Sequence, residues 1–343
     1  MMLPCRHRYV SYTEAATGPN IVIDGALNDN AVLSLSHWPK SGTPWPLKAD
    51  TSVAIVFNYL DSQEWHRDVE VVTNDHFDED GLIGLSCMID PDFALRHRDL
   101  LIDASEAGDF GIYRDRRAAR IAFTISRLAD PVLSPWSPDV IAPDAFDDDY
   151  PTYCVVAYSR MLEQLKGIVE DVDGHRPLWV EEDDLLGMSE VALDRGEATI
   201  EELKDVDLAV VRVPTGWPER TAHRFTQHRD VFIHPMAVHN RTRCNRVATI
   251  CGGRLRFEYR YESWVQMMTY RPRPRIDLQP LAEALGDTEI DGTRWGFDGV
   301  AEITPSLEPA GGVSSLGEDR FLDELAGALR RGEPAWDPYD EEH

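Results

Sequence analysis

Between residues 20 and 130 short apolar runs, each ending in a polar turn, alternate with longer amphipathic segments. "NIVIDG" (20–25), "AVLSLSH" (31–37) and "DVEVVTND" (68–75) read as buried strands. "DTSVAIVFNYLDSQ" (50–63) reads as a helix capped by Asp50 or Thr51, with Val53, Val56, Phe57 and Leu60 on one face. "GLIGLSCMI" (81–89) opens another helix, and "RDRRAARIAFTISRLAD" (114–130) is a third. "DLLIDASEA" (99–107) suits strand or helix equally. The alternation predicts an α/β domain with a largely parallel sheet and flanking helices. In such sheets ligands bind beyond the carboxyl ends of the strands. Asp24, His37 and the acidic run 74–80 all fall at predicted strand ends.

The texture changes further along. Residues 131–205 read as a linker, rich in Pro and Asp, followed by connecting helices at 153–172 and within 181–203. From residue 206 strand-like runs dominate at 206–214, 230–240, 246–253 and 254–270, and helices follow at 277–286 and 321–329. This predicts a smaller α+β C-terminal domain over 206–330, beside a first domain at 1–130. Residues 331–343 read as a disordered tail.

The densest chemistry lies in "NDHFDEDG" (74–81). Three Asp, one Glu and one His crowd into seven positions. Like charges at that density repel, and a turn needs only one Asp or Asn. Two readings follow. The acids cap and complement the helix that starts near Gly81. Alternatively, His76, Asp78 and Asp80 ligate a cation. Carboxylates with imidazole suit Mn²⁺, with Mg²⁺ or Fe²⁺ as alternatives, better than a thiolate metal.

On these residues the chain resembles the DHH-type phosphoesterases. "DHFDEDGLIG" is similar to that superfamily's first signature, which implies His76, Asp78 and Asp80 as metal ligands. "IDGALND" (23–29) is similar to the second and implies Asp24. "LSLSHWPKSGTP" (33–44) is similar to the third and implies His37, with Ser36 and Trp38 where the family has Asp and His. "EAGDFG" (106–111) is similar to the fourth and implies Asp109. The order second, third, first, fourth implies a circularly permuted domain. The resemblance covers roughly residues 20 to 130, and the whole chain also resembles an uncharacterised bacterial protein family.

The resemblance implies a metal-dependent phosphoesterase-like hydrolase in which Asp24, His37 and Asp78 are catalytic. In the C-terminal half, His239, Arg241, Arg243, Arg254 and Arg256 are candidate holders of an anionic group, since arginine forks match phosphate and carboxylate. Ordinary pairing with the abundant acids is the competing reading. The net charge of −27 argues against long nucleic acid as a partner. It leaves a small phosphorylated or nucleotide-like substrate. The degraded third signature supports an alternative: a catalytically inactive relative that binds a small ligand or protein partner. A hydrolase acting on a non-phosphate bond is a third reading.

Five scattered cysteines without paired spacing read as reduced thiols. With no apolar leader and no membrane-length run, these features predict a cytoplasmic protein without a membrane partner.

Overall fold

The computed structural model describes residues 6–136, 145–225 and 227–340. It is a mixed α/β structure whose contacts divide into two units. The first holds the chain up to Asp184, together with 221–229 and 267–269; the second holds the remainder.

In the first unit the order is β1 (Arg8–Tyr9), α1 (Tyr12–Ala15), β2 (Asn20–Ile23), β3 (Ala31–Leu35), α2 (Ser52–Asp61), β4 (Val71–Thr73) and α3 (Glu79–Ile89). Then come α4 (Pro91–Arg96), α5 (Arg98–Asp109), α6 (Arg116–Ala129), α7 (Ala145–Asp148), α8 (Tyr150–Glu170) and the start of α9 (Arg176–Asp194). The segment 99–107, open between strand and helix, is thus the body of α5.

The four strands pair in the order β1-β4-β2-β3, every pair parallel. All carboxyl ends therefore lie on one edge. β2 is buried along its whole length, as expected for a strand of a parallel sheet covered on both faces. Ile21, Ile23, Leu35 and Val72 share one core with Val56 and Phe57 of α2, Leu82 and Leu85 of α3, Ile121 and Ile125 of α6, and Tyr158 and Met161 of α8. Thr51 caps α2, its hydroxyl accepting from the Ala54 N–H at 3.2 Å.

One boundary, the tail, differs from expectation. In the stretch read as a linker with connecting helices, the helix expected at 153–172 is present as α8, and its apolar face completes the first core. Residues 137–144 of that stretch lie outside the described residues. The tail holds β14 (Pro334–Trp336), which pairs antiparallel with β11 (Arg275–Ile276). Gly332 permits this approach: a Cβ there would lie 2.1 Å from Ile276 Cγ2. Residues 341–343 lie outside the described residues.

The second unit is built on a six-stranded mixed sheet, β12-β13-β10-β9-β6-β5. Its strands are β5 (Thr199–Leu203), β6 (Leu208–Arg212), β9 (Arg246–Cys251), β10 (Arg254–Tyr259), β12 (Trp295–Phe297) and β13 (Ser306–Pro309). Only β6–β9 is parallel. Helices α11 (Gln279–Gly286) and α12 (Glu318–Arg331) pack Leu281, Leu285, Phe321 and Leu325 against Leu255, Phe257 and Leu307 of the sheet. The run 230–240 is not one strand. Its first two residues close β8 (Gln227–Val231), which pairs with β7 (Arg220–Arg224), and α10 (Pro235–His239) follows. Pro235 lacks the N–H a strand needs and suits the first turn of a helix, where the His234 ring accepts from the Met236 N–H. Among the described residues no helix is long and apolar enough to cross a membrane. The four described cysteines are free and buried.

Glu289 ties the second unit together. Its buried carboxylate accepts from Trp295 Nε1 (2.8 Å), the Ser314 hydroxyl and the Ser315 backbone and hydroxyl. Burial opposes its charge, but the Ser314, Ser315 and Trp295 donors hold it down to about 2. A depressed carboxyl stabilises the fold above its ordinary value of 4.5 and loses that contribution as pH falls toward 2. Glu289→Gln is therefore expected to lower the urea-unfolding free energy by about 1–3 kcal/mol at pH 7. The gap between parent and variant should close as pH falls below 4.5. A pH-independent gap would contradict this account.

Candidate metal centre

The parallel sheet delivers three functional segments to one edge. Only residues 24–30 separate β2 from its parallel neighbour β3, so the chain reverses directly after Ile23. Asp24 makes that reversal in the left-handed region, with φ of 50°. Asp and Asn tolerate this backbone better than most residues, at a cost on the order of 1 kcal/mol. The Asp24 N–H still donates to Leu35 O at 3.0 Å, which fixes the carboxylate beside the end of β3. His37 follows β3, and His76 follows β4.

The other candidate ligands come from helix ends. Asp78 caps α3, its Oδ1 accepting from the Gly81 N–H at 2.8 Å. Asp80 lies in the first turn of α3 and reaches the start of α2, accepting from the Ser52 N–H (2.6 Å) and Val53 N–H (2.9 Å). Gly81 makes room for this packing: a Cβ there would lie 2.2 Å from Asn74 Nδ2 and 2.7 Å from the Tyr158 hydroxyl. Asp109 is the last residue of α5.

These elements bring all six expected ligands together. Asp24 Oδ1 lies 3.4 Å from His37 Nε2, and Asp24 Oδ2 lies 3.5 Å from His76 Nε2. His37 Nε2 is also 3.9 Å from Asp80 and 3.6 Å from Asp109, while His76 Nε2 is 3.1 Å from Asp78. The result is two groups, Asp24–His76–Asp78 and Asp24–His37–Asp80, joined through the two oxygens of Asp24. The cap and the cluster are the same residues; the two readings of the acidic run are compatible in geometry.

The electrostatics are unusual. All four aspartates are buried. Among the described residues no lysine or arginine forms an ion pair with any of them. Burial, reinforced by neighbouring carboxylates, pushes Asp78 up and Asp80 and Asp109 far up. For Asp24 burial is outweighed by His76, His37 and Ser52, which hold it near 2. His76 is raised in spite of burial, by the charges of Asp78, Asp24 and Asp75. Asp24 Oδ2 and both oxygens of Asp109 have no hydrogen-bond donor. Asp109 also sits at the negative end of the α5 dipole. Isolated buried carboxylates cost several kcal/mol each unless protonated or matched by a cation. The orphaned oxygens, the absence of lysine or arginine partners among the described residues and the oxygen-rich donor set would suit one or two divalent cations of the Mn²⁺, Mg²⁺ or Fe²⁺ type.

A supporting shell was not foreseen from the sequence. His37 Nδ1 lies 2.6 Å from the Asp50 carbonyl, which fixes that nitrogen as the protonated one and turns Nε2 into the cluster. The Asp50 carboxylate is itself held by the Met268 and Thr269 N–H groups and the Thr269 hydroxyl. The Ser52 hydroxyl donates to Asp24 at 2.7 Å and accepts from the His37 N–H. The start of the helix expected from residue 50 was the available signal, since the free N–H groups of a helix start hold anions. Trp38 stacks on His76 with ring centroids 4.8 Å apart.

The basic residues of the second unit fare differently. Arg254 and Arg256 do share the outer face of β10, opposite Leu255 and Phe257. Yet Arg254 pairs with Glu219, Arg256 with Glu258 and Glu308, and Arg241 with Asp194. Arg260 lies past the strand, buried with Glu262. His239 is buried at the end of α10, and Arg243 is exposed.

Fold and cluster together define an α/β protein with a carboxylate–histidine centre at the carboxyl edge of a parallel sheet. The chain belongs to the family described as "Family of unknown function (DUF6687)", whose profile matches residues 5–340. No curated protein and no solved structure matches it.

The unmatched carboxylates yield a prediction. In chelator-treated protein, Asp109→Asn removes a carboxyl whose ionisation burial and neighbouring carboxylates oppose, and it is expected to raise the unfolding free energy by about 1–2 kcal/mol at pH 7. The same substitution should reduce divalent-metal uptake. A loss of stability in the chelated variant would show that Asp109 is satisfied without a cation.

Proposed function

We propose that the protein is a metal-dependent, Mn²⁺-type phosphoesterase-like hydrolase acting on a small phosphorylated or nucleotide-like substrate. One observation carries this reading: Asp24 presents one oxygen to each of two His–Asp groups, the arrangement a two-metal hydrolytic centre requires. Asp24, His37, Asp80 and Asp109 would hold one cation, and Asp24, His76 and Asp78 the other. Bound there, divalent cations supply Lewis-acid polarisation of a phosphoryl oxygen and acidify a water molecule.

The chain's own residues do the rest. Asp24 holds the two groups at a common distance. His37, oriented by Asp50, keeps its free nitrogen on the cluster. His76 is the ligand side chain that reaches solvent, 19% exposed, so its group faces incoming substrate. Arg241, Arg254 and Arg256 are left out of the proposed substrate site, because carboxylates already neutralise them.

A second reading, a metal-binding relative without turnover, draws on Ser36 and Trp38. They stand where the similar phosphoesterases have Asp and His, and Trp38 covers one face of His76.

The test is elemental analysis of protein from Mn²⁺-supplemented cells, beside Asp24→Asn and Asp78→Asn, followed by a panel of phosphomonoesters, phosphodiesters and nucleotides. The hydrolase reading expects one to two metal equivalents in the parent, a fall in both variants, and metal-dependent turnover of at least one compound. Metal binding with no turnover across the panel favours the non-catalytic reading. A well-folded parent without metal sinks both.

A further inference from the structure

The chain from Trp38 to Ala49 forms a loop whose two ends meet at one residue. It leaves β3 through His37 and returns at Asp50, whose carbonyl lies 2.6 Å from His37 Nδ1. The loop is also pinned along its length. The Thr43 hydroxyl donates to the Ser36 carbonyl at 2.7 Å and accepts the Ser36 N–H at 2.9 Å, and the Ser41 hydroxyl donates to the same carbonyl at 2.8 Å. Leu47 is buried in the first core, and Asn58 Nδ2 donates to its carbonyl at 3.0 Å. Pro39, Pro44 and Pro46 restrict the backbone further. A compact loop with closed ends and internal bonds holds its exposed side chains in fixed places.

Its composition sets it apart from a strongly acidic chain. Asp and Glu make up 61 of 343 residues, yet none occurs from residue 30 to residue 49, and two of the four lysines, Lys40 and Lys48, lie in the loop. Lys40 is exposed and, among the described residues, forms no ion pair, unlike Arg241, Arg254 and Arg256. Trp45 is 71% exposed, with Lys48 Nζ 5.7 Å from its ring centroid. Leu27, only three residues past Asp24, lies against the same loop: its Cδ1 is 3.2 Å from where a Cβ on Gly42 would stand. An indole this exposed adds nothing to the core, and on a loop this firmly held it offers a ready stacking face.

We propose that the loop 38–49 is the substrate-recognition element beside the Asp24 cluster and that it selects a nucleotide, whose base stacks on Trp45 while Lys40 attracts its phosphate. The inference rests on the proposed hydrolytic centre only for where that phosphate goes. Stacking on an indole accepts any base, since every base has a π face, so the loop selects nucleotides as a class and not one base. Lys40 acts as a point charge. In a chain of net charge −27, a lysine without a carboxylate partner three residues from His37 offsets the repulsion that an anionic substrate meets. A sugar phosphate without a base satisfies Lys40 and leaves Trp45 bare.

The test is calorimetric titration of Mn²⁺-loaded protein with AMP and with ribose 5-phosphate. The parent should bind AMP more tightly. Trp45→Ala should weaken AMP binding about 5–100-fold and leave ribose 5-phosphate unchanged. Lys40→Ala should weaken both by about 2–5-fold, and by less at high salt. Both side chains are exposed, so neither variant should change metal content or circular dichroism. Equal affinity of the parent for the two probes, or AMP affinity that survives Trp45→Ala, overturns the proposal. A parent that ignores AMP but dissociates on Trp45→Ala in sedimentation also overturns it, and makes Trp45 a contact between copies. Turnover plays no part in the readout. Protein that binds metal and AMP in this pattern but hydrolyses nothing refutes the hydrolase and keeps the loop's role. If the parent holds no metal, the same titrations on metal-free protein decide, since the stack on Trp45 needs no ion.

Discussion

Four buried carboxylates that no described lysine or arginine pairs with are the constraint around which the first unit is arranged. Asp24, Asp78, Asp80 and Asp109 are drawn from a strand end and from the ends of two helices. Their mutual repulsion is reduced in three ways that the fold itself supplies. The start of α2 offers Ser52 and Val53 N–H groups to Asp80. The start of α3 offers the Gly81 N–H to Asp78. Two histidines face Asp24 from opposite sides. Asp109 accepts no hydrogen bond, with His37 3.6 Å away, and it defines where a cation has most to gain.

The parallel sheet makes this concentration of charge possible. Because every strand pair is parallel, successive strands end on one edge, and each loop there starts within reach of the others. The left-handed backbone at Asp24 and the close approach at Gly81 are local costs of bringing those loops together. The helices then cover the sheet with apolar faces, which keeps the four aspartates buried and strengthens the electrostatic interactions among them.

The strand–helix alternation over residues 20–130 was legible because hydrophobic periodicity is local. So were Asp24, His37 and the acidic run, since each is announced by the end of a strand. Residues 99–107 stayed open between strand and helix because a short amphipathic run satisfies both periods; packing against α3 and α6 chose the helix. The arginines of β10 show the limit from the other side. Arg254 and Arg256 were legible as forks for an anion, but only the fold brought Glu219 and Glu308 to them.

Residue types and their spacing by themselves determined the class of fold, the edge of the sheet at which chemistry collects, and the oxygen-rich donor set. Those properties depend on neighbours a few positions away. Tertiary structure alone decided that Asp24 is shared between two groups, that Asp50 orients His37, and that Asp130 and Glu182 meet His223. His223 lies 93 positions beyond Asp130, a separation over which no local pattern carries information. The parallel register closes the first kind of distance, and the return of the β7–β8 hairpin to the first unit closes the second.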